Sequence, residues 1–189
     1  MRLALSLWVF LVLLLSGCQV IQSRQSCVSI DTETHYCLQG MAKVQESNHE
    51  LNVVFKRQQL QHEMLLHVEI QNGKMIVVGL APIGQALFTL TFDGEHLVSE
   101  HNILLGKQFN PEYILALLQI AYWPELDVKT GIEKGKLIVS RNFRQILSND
   151  MEPVIQIDYS GRAMGWDSKV TLSMPKAQLI LNISPLESE

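Results

Sequence analysis

Cysteine is scarce in this chain: Cys18, Cys27 and Cys37 are the only three in 189 residues. No second Cys or His pair stands at zinc-finger spacing, so the sequence offers no structural zinc site. Positive charge is short as well. Fifteen Lys and Arg against nineteen Asp and Glu leave a formal charge of −4, with no basic field to hold nucleic acid. Aromatic residues make up 7%, too few to pave a carbohydrate groove. The signatures of catalysis are missing too. His62-Glu63 and His67 fail the His-Glu-x-x-His spacing by one residue, and on a strand they face opposite ways. Gly79 to Gly84 lacks the Lys-Ser/Thr ending of a phosphate loop, and no Gly-x-Ser-x-Gly elbow occurs. Acidic residues show no local pairing. The expectation is a protein that is not an enzyme and carries no cofactor or metal.

Long apolar runs are absent except at the start. Arg2, then an apolar stretch from Leu3 to Leu15, then Ser16-Gly17-Cys18 has the order of a bacterial lipoprotein signal. The stretch is shorter than the roughly 20 residues of a membrane-spanning helix. Residues 1–17 are therefore expected to be cleaved, Cys18 acylated, and the remaining chain hung from a membrane lipid. Gln19 follows Cys18. By resemblance to bacterial lipoproteins generally, a residue other than Asp there implies the periplasmic face of the outer membrane. Cys27 and Cys37 remain as an even pair in an oxidising compartment, which favours a disulfide over two free thiols.

Residues 18–45 are polar, rich in Gln, Ser, Thr and Glu, and suggest a tether. Residues 46–189 then form one domain of ordinary size. Met64, Leu66, Val68 and Ile70 alternate with Leu65, His67 and Glu69, predicting a strand. Asn72-Gly73 and Asp93-Gly94 predict turns, with Lys74 to Leu80 and then Phe88, Leu90 and Phe92 as further strands. Alternation returns at Leu137 and Val139, at Ile155 to Tyr159, at Val170 to Met174 and at Leu179 to Ile183. Arg57, Arg141, Arg144 and Arg162 fall where solvated strand ends are expected.

One segment breaks the pattern. Asn110-Pro111-Glu112 starts a helix, and Pro124 biases the chain out of it at Trp123. Only Gln119 is polar between Tyr113 and Trp123. A helix apolar nearly all round must be enclosed or must line an apolar cavity. The expected fold is α+β, mostly antiparallel β: a curved sheet, an open half-barrel, covering one or more apolar helices.

Leu80-Ala81-Pro82-Ile83-Gly84-Gln85, Leu87-Phe88-Thr89-Leu90 and Ala121-Tyr122-Trp123-Pro124 carry a resemblance to a domain-of-unknown-function family. Its members are short bacterial lipoproteins found beside aryl-polyene and fatty-acid-like synthesis genes. The layout is more distantly similar to the outer-membrane lipoprotein receptor LolB and its periplasmic partner LolA, whose curved sheet leaves an apolar cavity for acyl chains. That resemblance implies a membrane-insertion loop at Pro82 and Ile83, with Ala81 where LolB has Asn. It also implies a cavity lined by Phe88, Leu90, Phe92, Leu115, Leu118, Tyr122 and Trp123. Unlike LolB, this chain has a cysteine pair after the anchor. The implied function is binding of lipoprotein acyl or polyene-lipid chains and their transfer at the outer membrane, with a LolA-like periplasmic carrier as partner. The alternative is a membrane-anchored scaffold of an envelope biosynthesis or export complex.

Overall fold

Period-two alternation builds one long sheet. In the computed structural model, residues 26–105, 109–161 and 163–186 are described. The expected signal at 1–17, Cys18, Gln19 and Arg162 lie outside the described residues. Strands β3 (Ser47–Arg57), β4 (Leu60–Gln71), β5 (Lys74–Leu80), β6 (Ala86–Phe92) and β7 (Leu97–His101) form a meander. A second meander runs through β9 (Gly135–Val139), β10 (Phe143–Ser148), β11 (Pro153–Ser160), β12 (Lys169–Met174) and β13 (Leu179–Pro185). The two join where β13 pairs with β3, Leu179 opposite Arg57 and Pro185 opposite Leu51. The result is a ten-stranded antiparallel sheet, curved and unclosed, with β7 and β9 at its edges.

One face of this sheet is the core. Leu51 and Val53, Leu66 to Ile70, Met75 and Val77, and Phe88 to Phe92 point inward at alternate positions. So do Ile155 and Ile157, Val170 to Met174, and Leu179 to Ile183. Asn72 and Gly73 both take positive φ, 52° and 71°, as an Asn-Gly hairpin turn needs. Gly79 has a different role. A Cβ there would lie 2.3 Å from Phe88 on the neighbouring strand, so its absence lets that ring lie flat against β5.

Helix α1 (Pro111–Tyr122) fills the concavity. Asn110 caps it by accepting a hydrogen bond from the Tyr113 amide at 3.0 Å. Every residue from Leu115 to Ala121 is buried, so the helix is enclosed. A short α2 (Glu125–Gly131), which the sequence patterning does not predict, follows Pro124. Among the described residues no helix is long and apolar enough to cross a membrane.

The cover on the far side of α1 is a correction. Residues 26–41 were expected to be a tether, yet they fold onto the helix. Strands β1 (Cys27–Ser29) and β2 (His35–Cys37) pair with each other, and β2 pairs with β8 (Ile132–Glu133). Val28, Ile30, Tyr36, Leu38 and Met41 enter the same core as the large sheet. The physical reason is that a few large apolar side chains suffice to close one side of a helix. Of their polar neighbours, Thr34 and Gln39 are buried too, bonded to the Lys134 and Cys37 carbonyls. Cys27 and Cys37 are directly opposite and joined by a disulfide. Gly131 lets the cover approach, since a Cβ there would sit 2.7 Å from the Cys37 carbonyl and from the Tyr36 ring.

Candidate functional site: the enclosed helix and the two ends of the half-barrel

A buried helix end must satisfy its carbonyls without water. Here strand side chains do it. Arg144 on β10 donates to the Ile120 carbonyl at 2.9 Å, and the Tyr159 hydroxyl on β11 donates to the Ala121 carbonyl at 2.6 Å. The guanidinium also lies 6.0 Å from the centre of the Tyr159 ring. A cation at a helix C-terminus is favourable. Arg144 was expected at a solvated strand end; it is buried because the helix end needs a donor there. Burial pushes the Tyr159 hydroxyl up to about 12, against the pull of Arg144, so it stays a neutral donor.

Gln119, the lone polar residue inside the helix, ties the cover down. Its carbonyl oxygen accepts from the Gln39 amide at 2.8 Å and the Tyr36 hydroxyl at 3.2 Å. Its NH2 group donates to the Gln39 carbonyl at 2.9 Å. The Trp123 indole N–H donates to the Gly40 carbonyl at 3.4 Å. Desolvation raises the Tyr36 pKa, so that hydroxyl too remains a donor.

The residues expected to line a cavity are brought together, but as solid core. A wall residue of a chamber large enough for hydrocarbon keeps surface that a water-sized sphere can touch. Leu115 and Trp123 keep none, and Phe88, Leu90, Phe92 and Leu118 keep at most 3%. The expectation that these six face open space is corrected: α1 itself occupies the room beneath the sheet. Tyr122 differs. It is only partly buried, its hydroxyl has no hydrogen-bond partner among the described residues, and its ring stacks on Trp166 at 3.9 Å. Trp166 stacks in turn on His49 at 4.5 Å. Sequence patterning does not reveal this three-ring pile, because its members come from α1, the β11–β12 loop and β3.

Pro82 and Ile83 stand in the β5–β6 loop, which is closed by hydrogen bonds from the Ala81 amide to Gln85 and from the Gly84 amide to Ala81. Ile83 is 86% exposed at its tip. A groove of about 420 Å³ opens at the same end, between Lys56 and Gln58 on one side and Met174, Pro175, Leu179 and Ile180 on the other. His62 and His67 lie on opposite faces of β4 and share no site. Cys27, Cys37 and Glu133 come close together, but both sulfurs are consumed in the disulfide.

Residues 48–187 match a family described as a protein of unknown function, DUF3261. The chain belongs to that family. The DUF3261 span takes in the ten-stranded sheet from Asn48 on and both helices, and the cover stands before it. No curated protein matches the chain.

Proposed function

We propose that this chain is a lipoprotein held by acylated Cys18 at the periplasmic face of the outer membrane. Its half-barrel binds acyl or polyene-lipid chains and assists their transfer to that membrane. The arrangement that supports this reading is a curved, open antiparallel sheet whose apolar face is closed by a single helix. Such a sheet is compatible with the layout that the resemblance to LolA and LolB implies, and Ile83 stands at an exposed loop tip. In this state α1 is the plug: it takes the place a hydrocarbon would occupy. Loading therefore requires the helix and its disulfide-clasped cover to move aside. Chemistry is not part of the role, and neither is a cofactor or nucleic acid. The implied protein partner is a periplasmic LolA-like carrier.

A second reading is favoured by one observation, the near-complete loss of accessible surface beneath the sheet. Under it the chain is an anchored scaffold with a permanently filled core. Native mass spectrometry of detergent-extracted protein, with uptake of a fluorescent palmitate analogue, separates the two. The carrier reading expects co-purifying acyl species and uptake that accelerates when Cys27–Cys37 is reduced. Protein that is empty and inert, oxidised or reduced, leaves the scaffold.

A further inference from the structure

The strand directions put the β3–β4, β5–β6, β10–β11 and β12–β13 turns and the segment after β7 at one end of the half-barrel. That end carries Ile103 at 91% exposure, Ile83 at 86%, Leu60 at 64% and Met151 at 57%. The opposite end is made of Asn72-Gly73, the turn from Asp93 to His96, Ser140 to Asn142 and the β11–β12 loop. Toward that end Leu126 on α2 is exposed at 64%, Val98 on β7 at 63% and Leu186 after β13 at 43%, but among the described residues none of these stands at the tip of a hairpin loop.

Each tip is held outward by its own backbone. The Asn102 amide bonds the Leu87 carbonyl at 2.7 Å and sets Ile103 on a single 3-10 turn whose Leu105 packs inward. Met151 sits at a positive φ of 63°, unusual for a large side chain, in a turn closed by paired bonds between Ser148 and Glu152 and by its own amide to Ser148. Gln58, also at positive φ, turns the chain into Leu60.

We infer that this whole end is a bilayer-docking face that beds four separate apolar tips into the membrane carrying the Cys18 anchor. The inference rests on the anchored-lipoprotein reading above and extends the insertion loop to three further residues. A membrane is the occupant that fits. Leu60 and Met151 rise from polar turns and Ile83 and Ile103 from two other separate loops, and a fluid hydrocarbon layer accepts such scattered points without the contiguous complementary patch that a protein partner needs. The leash permits it: eight peptide steps from Cys18 to Ser26 span at most about 28 Å, longer than the roughly 18 Å of the twelve-residue α1. Charge at this rim is mixed, with Lys56, Arg57 and Lys176 on the same end as Glu112, Asp150 and Glu152, so docking does not depend on anionic lipid.

The test uses the full-length protein in vesicles of phosphatidylcholine with brominated acyl chains, which quench tryptophan on contact. Leu60→Trp, Ile83→Trp, Ile103→Trp and Met151→Trp should each lose at least half of their added fluorescence. Leu126→Trp, exposed at the opposite end, should lose almost none, and adding phosphatidylglycerol should change nothing. Quenching at 83 alone, or equal quenching at 126, overturns the face. Failure of the parent reading looks different. An unacylated protein with all four tips quenched keeps the face and loses the anchor, whereas acylated protein with 60, 103 and 151 dark to bromine keeps the anchor and loses the face.

Discussion

The ten-stranded sheet and the N-terminal cover close on the same helix by different means. The sheet does so with surface: long strands, alternate residues inward, one continuous apolar face. The cover has two strands of three residues each; it adds five apolar side chains to the core and pairs with β8, and it is clasped by its own disulfide and tied to the helix by the hydrogen bonds of one buried amide. Apolar area is non-directional and tolerates small shifts. A buried amide is all or none, because its partners lose their bonds together when it goes. The sheet should therefore open only with global unfolding, and the cover in a separate, lower-energy step.

The largest expected effect on that contrast comes from Gln119→Leu. The volume is nearly conserved, but the Gln39 amide and carbonyl and the Tyr36 hydroxyl all lose their partner. Each such group left buried costs about 1–3 kcal/mol, so the cover should detach rather than carry the load. Hydrogen exchange read by mass spectrometry should show protection lost across residues 26–41 and kept across β3 to β6. Uniform loss throughout would make cover and sheet one cooperative unit and break the comparison. Next comes the clasp. Replacing Cys27 and Cys37 together by Ser opens a loop with a sequence separation of 10, worth about 3 kcal/mol in chain entropy. The urea midpoint for the cover should fall and that for the sheet should stay.

The same contrast explains what could be read from sequence. Strands such as Phe88-Thr89-Leu90-Thr91-Phe92 announce themselves because alternation persists long enough to exceed chance. Helix α1 was legible from Asn110-Pro111 at its start and Trp123-Pro124 at its end. Three-residue strands carry no period, so Val28, Tyr36 and Leu38 were lost in polar company and the cover passed for a tether. Arg144 was misplaced for a related reason. Its burial is dictated by a helix carbonyl brought to it by the fold, a partner that no local window contains. The candidate cavity residues were correctly grouped as neighbours, but a list of apolar side chains does not tell whether a helix or a hydrocarbon fills the space between them. Pairing of β13 with β3, which joins the two meanders, was likewise invisible.

The smallest expected effect tests the end opposite the four tips, where the seal on α1 is made of rings. His49 stacks beneath Trp166, and its Nε2 is buried with no hydrogen-bond partner among the described residues. Desolvation lowers its pKa below the usual 6.5, opposed in part by nearby Asp167. The unfolded chain then takes up a proton before the folded one does. The His49 contribution to stability is complete above pH 6.5 and is lost as pH falls from there through the lowered folded value. His49 is only partly buried, so the change is modest. Melting followed by Trp166 fluorescence should show a midpoint that drops between pH 7 and pH 5, with a shallower drop in His49→Phe, which keeps the stack and removes the titration. A slope unchanged in that variant would mean that protonation elsewhere loosens the ring pile. In that case the ring-sealed end would offer no local acid sensitivity to set against the disulfide-clasped cover.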